Sequence, residues 1–170
     1  MTTSTTSTTT CRAATTDDVE SIAKLWHQGW IDGHLGHVPP ALHPHRRHID
    51  FVQRVPSLLD LTTVATIEQR IVGFVAVRDD EIEQLYVAAS ARGAGVADLL
   101  IGYGEQVIAE RFPIAWLAVA DGNARARRFY ERSGWTDAGA IDYAARTLTG
   151  TIEVPCRRYE KLVTGMKGTH

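Results

Sequence analysis

The feature that most restricts the fold is a run of three strand patterns followed directly by a glycine-rich helix start. The segments "TTVATI" (62–67), "IVGFVAV" (71–77) and "EIEQLYV" (81–87) are apolar, rich in β-branched residues and separated by short polar turns. Turns this short join strands that pair antiparallel. The helical pattern that follows, 95–111, leads to another apolar segment, "PIAWLAVA" (113–120), by a crossover. A mixed α/β sheet, antiparallel at first, is therefore predicted.

Helical and strand patterns also occur on either side of this meander. A short strand is predicted at 11–15, followed by a helix that the glycines and prolines from Gly29 to Pro40 should break up. A second helix begins within 43–59 and is disturbed by Pro56, a further helix covers 123–132, and two strands lie near 135–144 and 151–162. The apolar stripe predicted for the first helix is Val19, Ile22, Ala23, Trp26 and Trp30, and that for 95–111 is Val96, Leu99, Leu100, Tyr103, Val107 and Ile108.

Length and composition are those of one soluble domain. The chain has 170 residues, of which 44% are hydrophobic and 22% charged, and its net charge of −2 argues against a dedicated nucleic-acid binder. No apolar run is long enough for a membrane span, and two cysteines without metal-ligand spacing indicate a reducing, cytoplasmic location. We expect a disordered Thr/Ser tail at 1–10, a domain at 11–163 and a flexible tail at 164–170.

The stretch "ARGAGVADLL" (91–100) places two glycines between a strand and a helix. Backbone N–H groups at a helix start lack intrahelical partners, and glycine lets an anion approach them. A tight turn that only permits close packing is the alternative interpretation. The spacing lacks the third glycine of a dinucleotide loop and the G-K-[ST] ending of an NTP-binding loop, which disfavours both ligands.

Two motifs resemble those of the GNAT superfamily of N-acetyltransferases. "RGAGVA" (92–97) is similar to the family's Q/R-x-x-G-x-G/A loop, and "NARARRFYERSGW" (123–135) to its N-x-x-A-x-x-F/L-Y-E-x-x-G-F/W segment. The resemblance covers roughly 11–162. It implies a single α/β domain with a mixed, mostly antiparallel central sheet flanked by helices. It also implies acetyl-CoA as co-substrate and no metal.

In the resembled family, the loop amides bind the pyrophosphate of the coenzyme, and the pantetheine arm pairs with the preceding strand. One strand N–H, which we assign to Leu85, would polarise the thioester carbonyl. The coenzyme-binding residues that the resemblance implies are Leu85, Tyr86, Val87, Arg92, Gly93, Ala94, Gly95, Val96, Ala97, Asn123, Phe129 and Tyr130.

Three residues are candidates for the chemistry. Alternation along a strand places Glu81 and Glu83 on the same face as Leu85, where either could accept a proton from an amine. Glu83 is preferred because it is nearer to Leu85, although two solvated carboxylates are the alternative. Tyr130 matches the family's tyrosine and could protonate the leaving thiolate, or it could simply pack beside Trp135.

The acceptor is expected to be a primary amine of a small molecule or a peptide, in a site bounded by Trp30, His34 and Tyr143. An amino acid, a polyamine, an aminoglycoside-like drug and a protein N-terminus all stay open. Six of the seven histidines lie within 27–48, but their spacing favours a polar surface loop over a metal site. An acyl-CoA sensor without turnover is the alternative function, and the sequence is also compatible with a homodimer or a structural protein.

Overall fold

The computed structural model describes residues 7–164 and contains one seven-stranded sheet. The meander strands and the last strand lie where the sequence predicts them, and the strand before the last begins one residue later and ends two residues later than the predicted 135–144. The strands are β1 (Thr9–Ala13), β2 (Thr62–Ile67), β3 (Arg70–Arg78), β4 (Glu81–Val87), β5 (Ile114–Ala120), β6 (Thr136–Arg146) and β7 (Thr151–Leu162).

Four α-helices flank the sheet, together with short 3-10 turns. The α-helices are α1 (Val19–His34), α2 (His48–Arg54), α3 (Val96–Ala109) and α4 (Ala124–Arg132). The 3-10 turns are Thr16–Asp18, Pro40–His45, Val55–Leu61 and Ala89–Ala91. None of the helices within 7–164 is long and apolar enough to cross a membrane.

The order of the strands in the sheet is β1-β2-β3-β4-β5-β7-β6, and every neighbouring pair is antiparallel except β4 and β5. The parallel pair arises because α3 crosses from the end of β4 to the start of β5. This mixed, mostly antiparallel sheet confirms the predicted fold class.

The sheet buries one apolar cluster on each face. Side chains of α1 and α2 pack with Phe74 and Val64 on one side, whereas α3 and α4 pack with Val75 and Leu117 on the other. The stripe predicted for α1 is largely correct, since Ile22, Trp26 and other members are buried.

Three local predictions need correction. First, β1 begins at Thr9, so Thr9 and Thr10, which the sequence assigned to the disordered tail, pair with β2 instead. Residues 1–6 and 165–170 of the two predicted tails lie outside the described residues. Second, α1 continues through Gly29 and Gly33. A Cβ at Gly29 would lie 2.3 Å from Cδ1 of Tyr86, so glycine is needed there for close packing of α1 on β4.

The third correction concerns α3. Leu99, Tyr103 and Val107 were expected in the buried stripe but are 43%, 41% and 37% exposed. The buried face is shifted and includes Ile101 and Gly104, whose missing side chain lets α3 approach Ile82 of β4. The apolar residues around α3 are too numerous for one stripe, so their spacing alone did not define the buried face.

Candidate active site

The strands β4 and β5 separate soon after they meet, and this opens a gap in the sheet. Their parallel pairing consists of Glu81 opposite Trp116, supported by a 3.0 Å hydrogen bond from Trp116 N to Asp80 O. A cavity of about 450 Å³ fills the gap and extends over the glycine loop and the start of α4. All of the predicted coenzyme-binding residues except Ala94 line it.

The free edge of β4 faces this cavity. The N–H of Ala88 donates to Val72 O at 2.8 Å, so the backbone groups of Tyr86, two residues earlier, also face β3. The N–H and C=O groups of Leu85 and Val87 consequently point to the opposite edge, into the gap. An extended ligand could pair with this edge as an additional strand.

The glycine loop presents further unpartnered amides. Gly93 and Gly95 have φ angles of +79° and +80°, which other residues adopt only with strain. A Cβ on either residue would meet no atom within 4 Å, so both positions face open space. Within 7–164, no backbone carbonyl accepts a hydrogen bond from the N–H groups of these two glycines or of residues 96–98. The start of α3 is therefore suited to bind an anion.

Three arginines surround this part of the cavity. Arg92, which the sequence identified, donates to Asp32 at 3.3 Å and is 40% exposed. Arg125 and Arg132 also line the cavity and were missed by the sequence analysis. Both lie within the recognised segment 123–135, and this position was the available signal. The arginines add positive charge around the free amides, which favours a phosphate-bearing ligand.

The helix α4 brings Asn123 and Tyr130 to the opposite wall. Asn123 caps the helix by accepting a 3.3 Å hydrogen bond from Ala126 N, as predicted from its position. Tyr130 is 9% exposed and packs edge-on against Phe129 and Trp135, at centroid distances of 5.2 and 6.2 Å. Burial raises the pKa of Tyr130, so its hydroxyl stays protonated at neutral pH. The ring of Tyr130 can therefore pack in the core while its hydroxyl donates a proton.

A second, smaller cavity of about 90 Å³ lies on the side of α1 and α2. The predicted acceptor residues Trp30, His34 and Tyr143 all line it, as do Glu81 and Glu83. The walls of the two cavities have residues in common, and these are His34, Glu83, Gln84, Tyr86 and Ala118. The two sites predicted separately from the sequence are therefore neighbours.

A β-bulge decides where the two glutamates point. Ala76 pairs with Gln84 but Val77 pairs with Ile82, so Glu83 is an extra residue in β4. Leu85 packs on the α3 side, whereas both glutamates line the cavity on the α1 side. The prediction that Glu81 and Glu83 share a face with Leu85 and Val87 was wrong, because simple alternation does not hold across a bulge.

The glutamates differ in their partners. The side chain of Glu83 is 3% exposed and accepts a 2.7 Å hydrogen bond from Arg78 Nε, with Arg146 Nε at 3.8 Å. Glu81 accepts a 2.6 Å hydrogen bond from the Tyr143 hydroxyl. Burial raises the pKa of Glu81, the bond from Tyr143 opposes this effect, and the negative charge of Glu83 adds to it. The raised pKa makes Glu81 a better proton acceptor for an amine than an ordinary carboxylate.

His34 lies where the two cavities meet. Its ring stacks on Trp30 with a centroid distance of 6.3 Å and an interplanar angle of 4°. Burial lowers the pKa of His34 to about 4, helped by the positive charge of Arg46, so the ring is neutral at pH 7. Its Nδ1 is buried and has no hydrogen-bond partner within the described residues.

The histidines within 27–48 do not gather into a single cluster. His34 belongs to a helix and not to the predicted polar loop, His43 packs edge-on against Trp30, and His48 pairs with Glu20 at 2.7 Å. In the part of the chain that the structure describes, no group of three or more His, Cys, Asp or Glu residues is arranged to hold a metal ion.

Two arginines on the wall of the smaller cavity were also missed. Arg46 is 7% exposed, and Arg54 lies with its guanidinium carbon 4.4 Å from the centroid of the Trp26 ring. Arg46 precedes α2 and Arg54 is its last residue, in a part of the sequence that gave no motif. An arginine outside a recognised motif is ordinarily expected to be exposed to solvent.

Comparisons with known proteins agree with this geometry. A GCN5-related N-acetyltransferase from Rhodopseudomonas palustris has 20% identity and a TM-score of 0.72, with 92% of this chain and 96% of that chain covered. The structure of yncA from Salmonella typhimurium, solved with acetyl-CoA, has 13% identity, coverage of 96% and 99%, and a TM-score of 0.69. The PaiA N-acetyltransferase from Thermoplasma acidophilum, solved with coenzyme A, has 15% identity, coverage of 91% and 99%, and a TM-score of 0.63.

These structures share the fold with the present chain. A comparison with curated protein sequences found no match. The sequence profile described as "Acetyltransferase (GNAT) family" matches residues 21–135, which span α1 to Trp135 and include both recognised motifs. The chain therefore belongs to the GNAT acetyltransferase family.

Proposed function

We propose that this protein is an acetyl-CoA-dependent N-acetyltransferase that acetylates a primary amine by direct attack. The observation that carries the proposal is the junction of the two cavities at His34 and Glu83. One cavity contains unpartnered backbone amides, and the other contains a carboxylate whose pKa is raised. The similar structures that contain acetyl-CoA and coenzyme A support this choice of co-substrate.

The larger cavity is the proposed site for the coenzyme. Bound acetyl-CoA supplies an acetyl group activated as a thioester. The amides of Gly93 and of Gly95 to Ala97 bind the pyrophosphate, and the arginines around the cavity lie near its charge. The free edge of β4 pairs with the pantetheine arm, and the N–H of Leu85 donates to the thioester carbonyl oxygen.

The smaller cavity is the proposed site for the amine. Glu81 accepts a proton from the amine nitrogen, which forms a bond to the acetyl carbon as the carbon–sulfur bond breaks. Tyr130 donates a proton or a hydrogen bond to the departing sulfur. Glu83 is the weaker candidate for the base, because Arg78 occupies its carboxylate. The sequence alone favoured Glu83, so the proposed base is now Glu81 instead.

A thiol-release assay tests the proposal. The full chain is mixed with acetyl-CoA and a panel of primary amines, free thiol is measured, and acetylated products are identified by mass spectrometry. We expect thiol release that depends on the amine and yields one acetyl group per thiol. Glu153→Gln is the matched control, because Glu153 is an exposed carboxylate on β7 that lines neither cavity. Coenzyme binding without thiol release for any amine would instead support the non-catalytic sensor.

A further inference from the structure

The small cavity contains positive charge that its own residues do not neutralise. The charged residues on its wall are Arg46, Arg54, Arg146, Glu81 and Glu83. Glu83 is already paired with Arg78 at 2.7 Å and faces Arg146 at 3.8 Å. Glu81, which accepts a hydrogen bond from Tyr143, is the remaining carboxylate for two further guanidinium groups.

Neither Arg46 nor Arg54 has a carboxylate within ion-pair distance among residues 7–164. Arg46 donates only to backbone carbonyls, to Arg146 O at 2.9 Å and to His45 O at 3.1 Å. Arg54 rests on the Trp26 ring at 4.4 Å, and its guanidinium donates to no acceptor in this range. A cation removed from water without a counter-ion is costly, so these groups favour an anionic ligand.

The two guanidinium groups also repel each other. Burial lowers the pKa of Arg54 to about 10, and the positive charge of Arg46 adds to this effect. Burial likewise lowers the pKa of Arg46. Both groups nonetheless stay protonated at neutral pH. An anion bound beside them would offset both burial and repulsion.

The size of the cavity limits what the anion can be attached to. Its volume of about 90 Å³ suits a compact anionic group. A carboxylate is small and planar, and it matches the planar fork of a guanidinium. A polyamine or an aminoglycoside would bring further positive charge beside the two guanidinium groups, which is unfavourable.

We propose that the acceptor is a small amino acid, whose carboxylate is bound by Arg54 and Arg46 and whose amine is directed toward Glu81. This inference rests on the proposed N-acetyltransferase function. The amine nitrogen bonds to the acetyl carbon, the carbon–sulfur bond breaks, one nitrogen proton goes to Glu81, and the sulfur leaves as the coenzyme thiol. The products are an N-acetyl amino acid and coenzyme A.

Matched pairs of acceptors test the inference. Glycine, alanine and β-alanine are compared with their amides, with ethanolamine and with phosphoethanolamine, using kcat/KM from thiol release. We expect each amino acid to exceed its amide by about tenfold or more, as for a hydrogen-bonded charged group. Intrinsic reactivity runs the other way, because amidation lowers the pKa of the amine and leaves more of it neutral. A preference for the amides, ethanolamine or phosphoethanolamine would overturn the inference while the acetyltransferase function stands. No thiol release with any amine would overturn both.

The variant Arg54→Met tests whether Arg54 binds the carboxylate of the acceptor. Arg54→Met keeps an unbranched side chain against Trp26 and removes the charge. We expect the ratio of kcat/KM between amino acid and amide to fall by about tenfold or more. Arg70→Met is the matched control, because Arg70 is exposed on β3 and lines neither cavity, so the ratio should be kept. An unchanged ratio in Arg54→Met would contradict the assignment.

A binding measurement on the unaltered chain covers the case in which Arg54→Met does not fold. Calorimetric binding of coenzyme A shows whether that variant is folded. Independently, the thermal stability of the unaltered chain is measured with N-acetylalanine and with N-acetylalaninamide. We expect stabilisation by the acid and not by the amide, and equal stabilisation would count against the carboxylate site.

Discussion

Replacing Glu81 with glutamine tests the assignment of the base. Glutamine keeps an oxygen that can accept the 2.6 Å hydrogen bond from the Tyr143 hydroxyl, so the surrounding packing should change little. The substitution removes the group that accepts the proton from the amine. A positioned base is typically worth about 10²–10⁴-fold, so we expect kcat/KM at pH 7 to fall by about 100-fold or more.

The pH dependence follows from the surroundings of Glu81. The charged and titratable groups around it are Tyr143, Glu83, Arg146 and Arg78. Burial and the charge of Glu83 raise its pKa above the ordinary value of 4.5. Because protonated Glu81 cannot accept a proton, activity should be lost as the pH falls through this raised pKa. Tyr143→Phe removes a hydrogen bond that lowers the pKa of Glu81, so the acid limb should move to higher pH.

The assay is thiol release measured as kcat/KM across pH 5 to about 10 for Glu81→Gln and the Glu153→Gln control. The residual activity of Glu81→Gln should rise with pH, because more of the amine is then already neutral. Wild-type activity of Glu81→Gln at every pH would refute the reasoning. In that case, positioning and polarisation of the thioester would account for catalysis without this base.

Four further substitutions have distinct expected effects. Tyr130→Phe should lower kcat by about tenfold or more and leave coenzyme A affinity, measured by calorimetry, within about twofold, because only the hydroxyl is removed. Full activity would exclude Tyr130 from proton transfer. Gly95→Val should weaken coenzyme A binding by about tenfold or more, because valine is strained at a positive φ and adds a side chain to the anion-binding loop. Arg92→Ala should have a smaller effect on affinity, since its side chain is 40% exposed. Asp18→Asn should destabilise the fold by about 1–2 kcal/mol, because it loses the ionic bonds from Arg12, which is itself nearly half exposed. The pKa of Asp18 is lowered to about 2 by its bond to Arg12, so this stability is present above pH 4 and lost as the pH falls toward 2, as urea unfolding can measure.

Local patterns defined the sheet and the coenzyme side of the candidate site. The strands β2 and β4 lie at the predicted residues, because short apolar runs between polar turns have few other ways to pair. The glycine loop was recognisable because positive φ angles require a residue type that the sequence displays directly. Asn123 was recognisable for a similar reason, since a capping side chain precedes its helix.

The arrangement of residues around the acceptor cavity depends on tertiary contacts that no local sequence pattern encodes. The bulge at Glu83 arises from the pairing of β4 with β3, and it moved both glutamates to the α1 side. Gly29 was taken for a helix breaker because its role depends on Tyr86, which lies far away in sequence. Arg54 was overlooked because its burial follows from contact with Trp26 of another helix.

A structure of the complex with acetyl-CoA tests the central claim most directly. We expect the pyrophosphate at the amides of Gly93 and of Gly95 to Ala97, the thioester carbonyl oxygen about 3 Å from Leu85 N, and the sulfur within reach of the Tyr130 hydroxyl. A pyrophosphate bound elsewhere would contradict the account, as in the adjoining cavity of about 480 Å³ between α3 and α4, which Glu105 and Lys161 line.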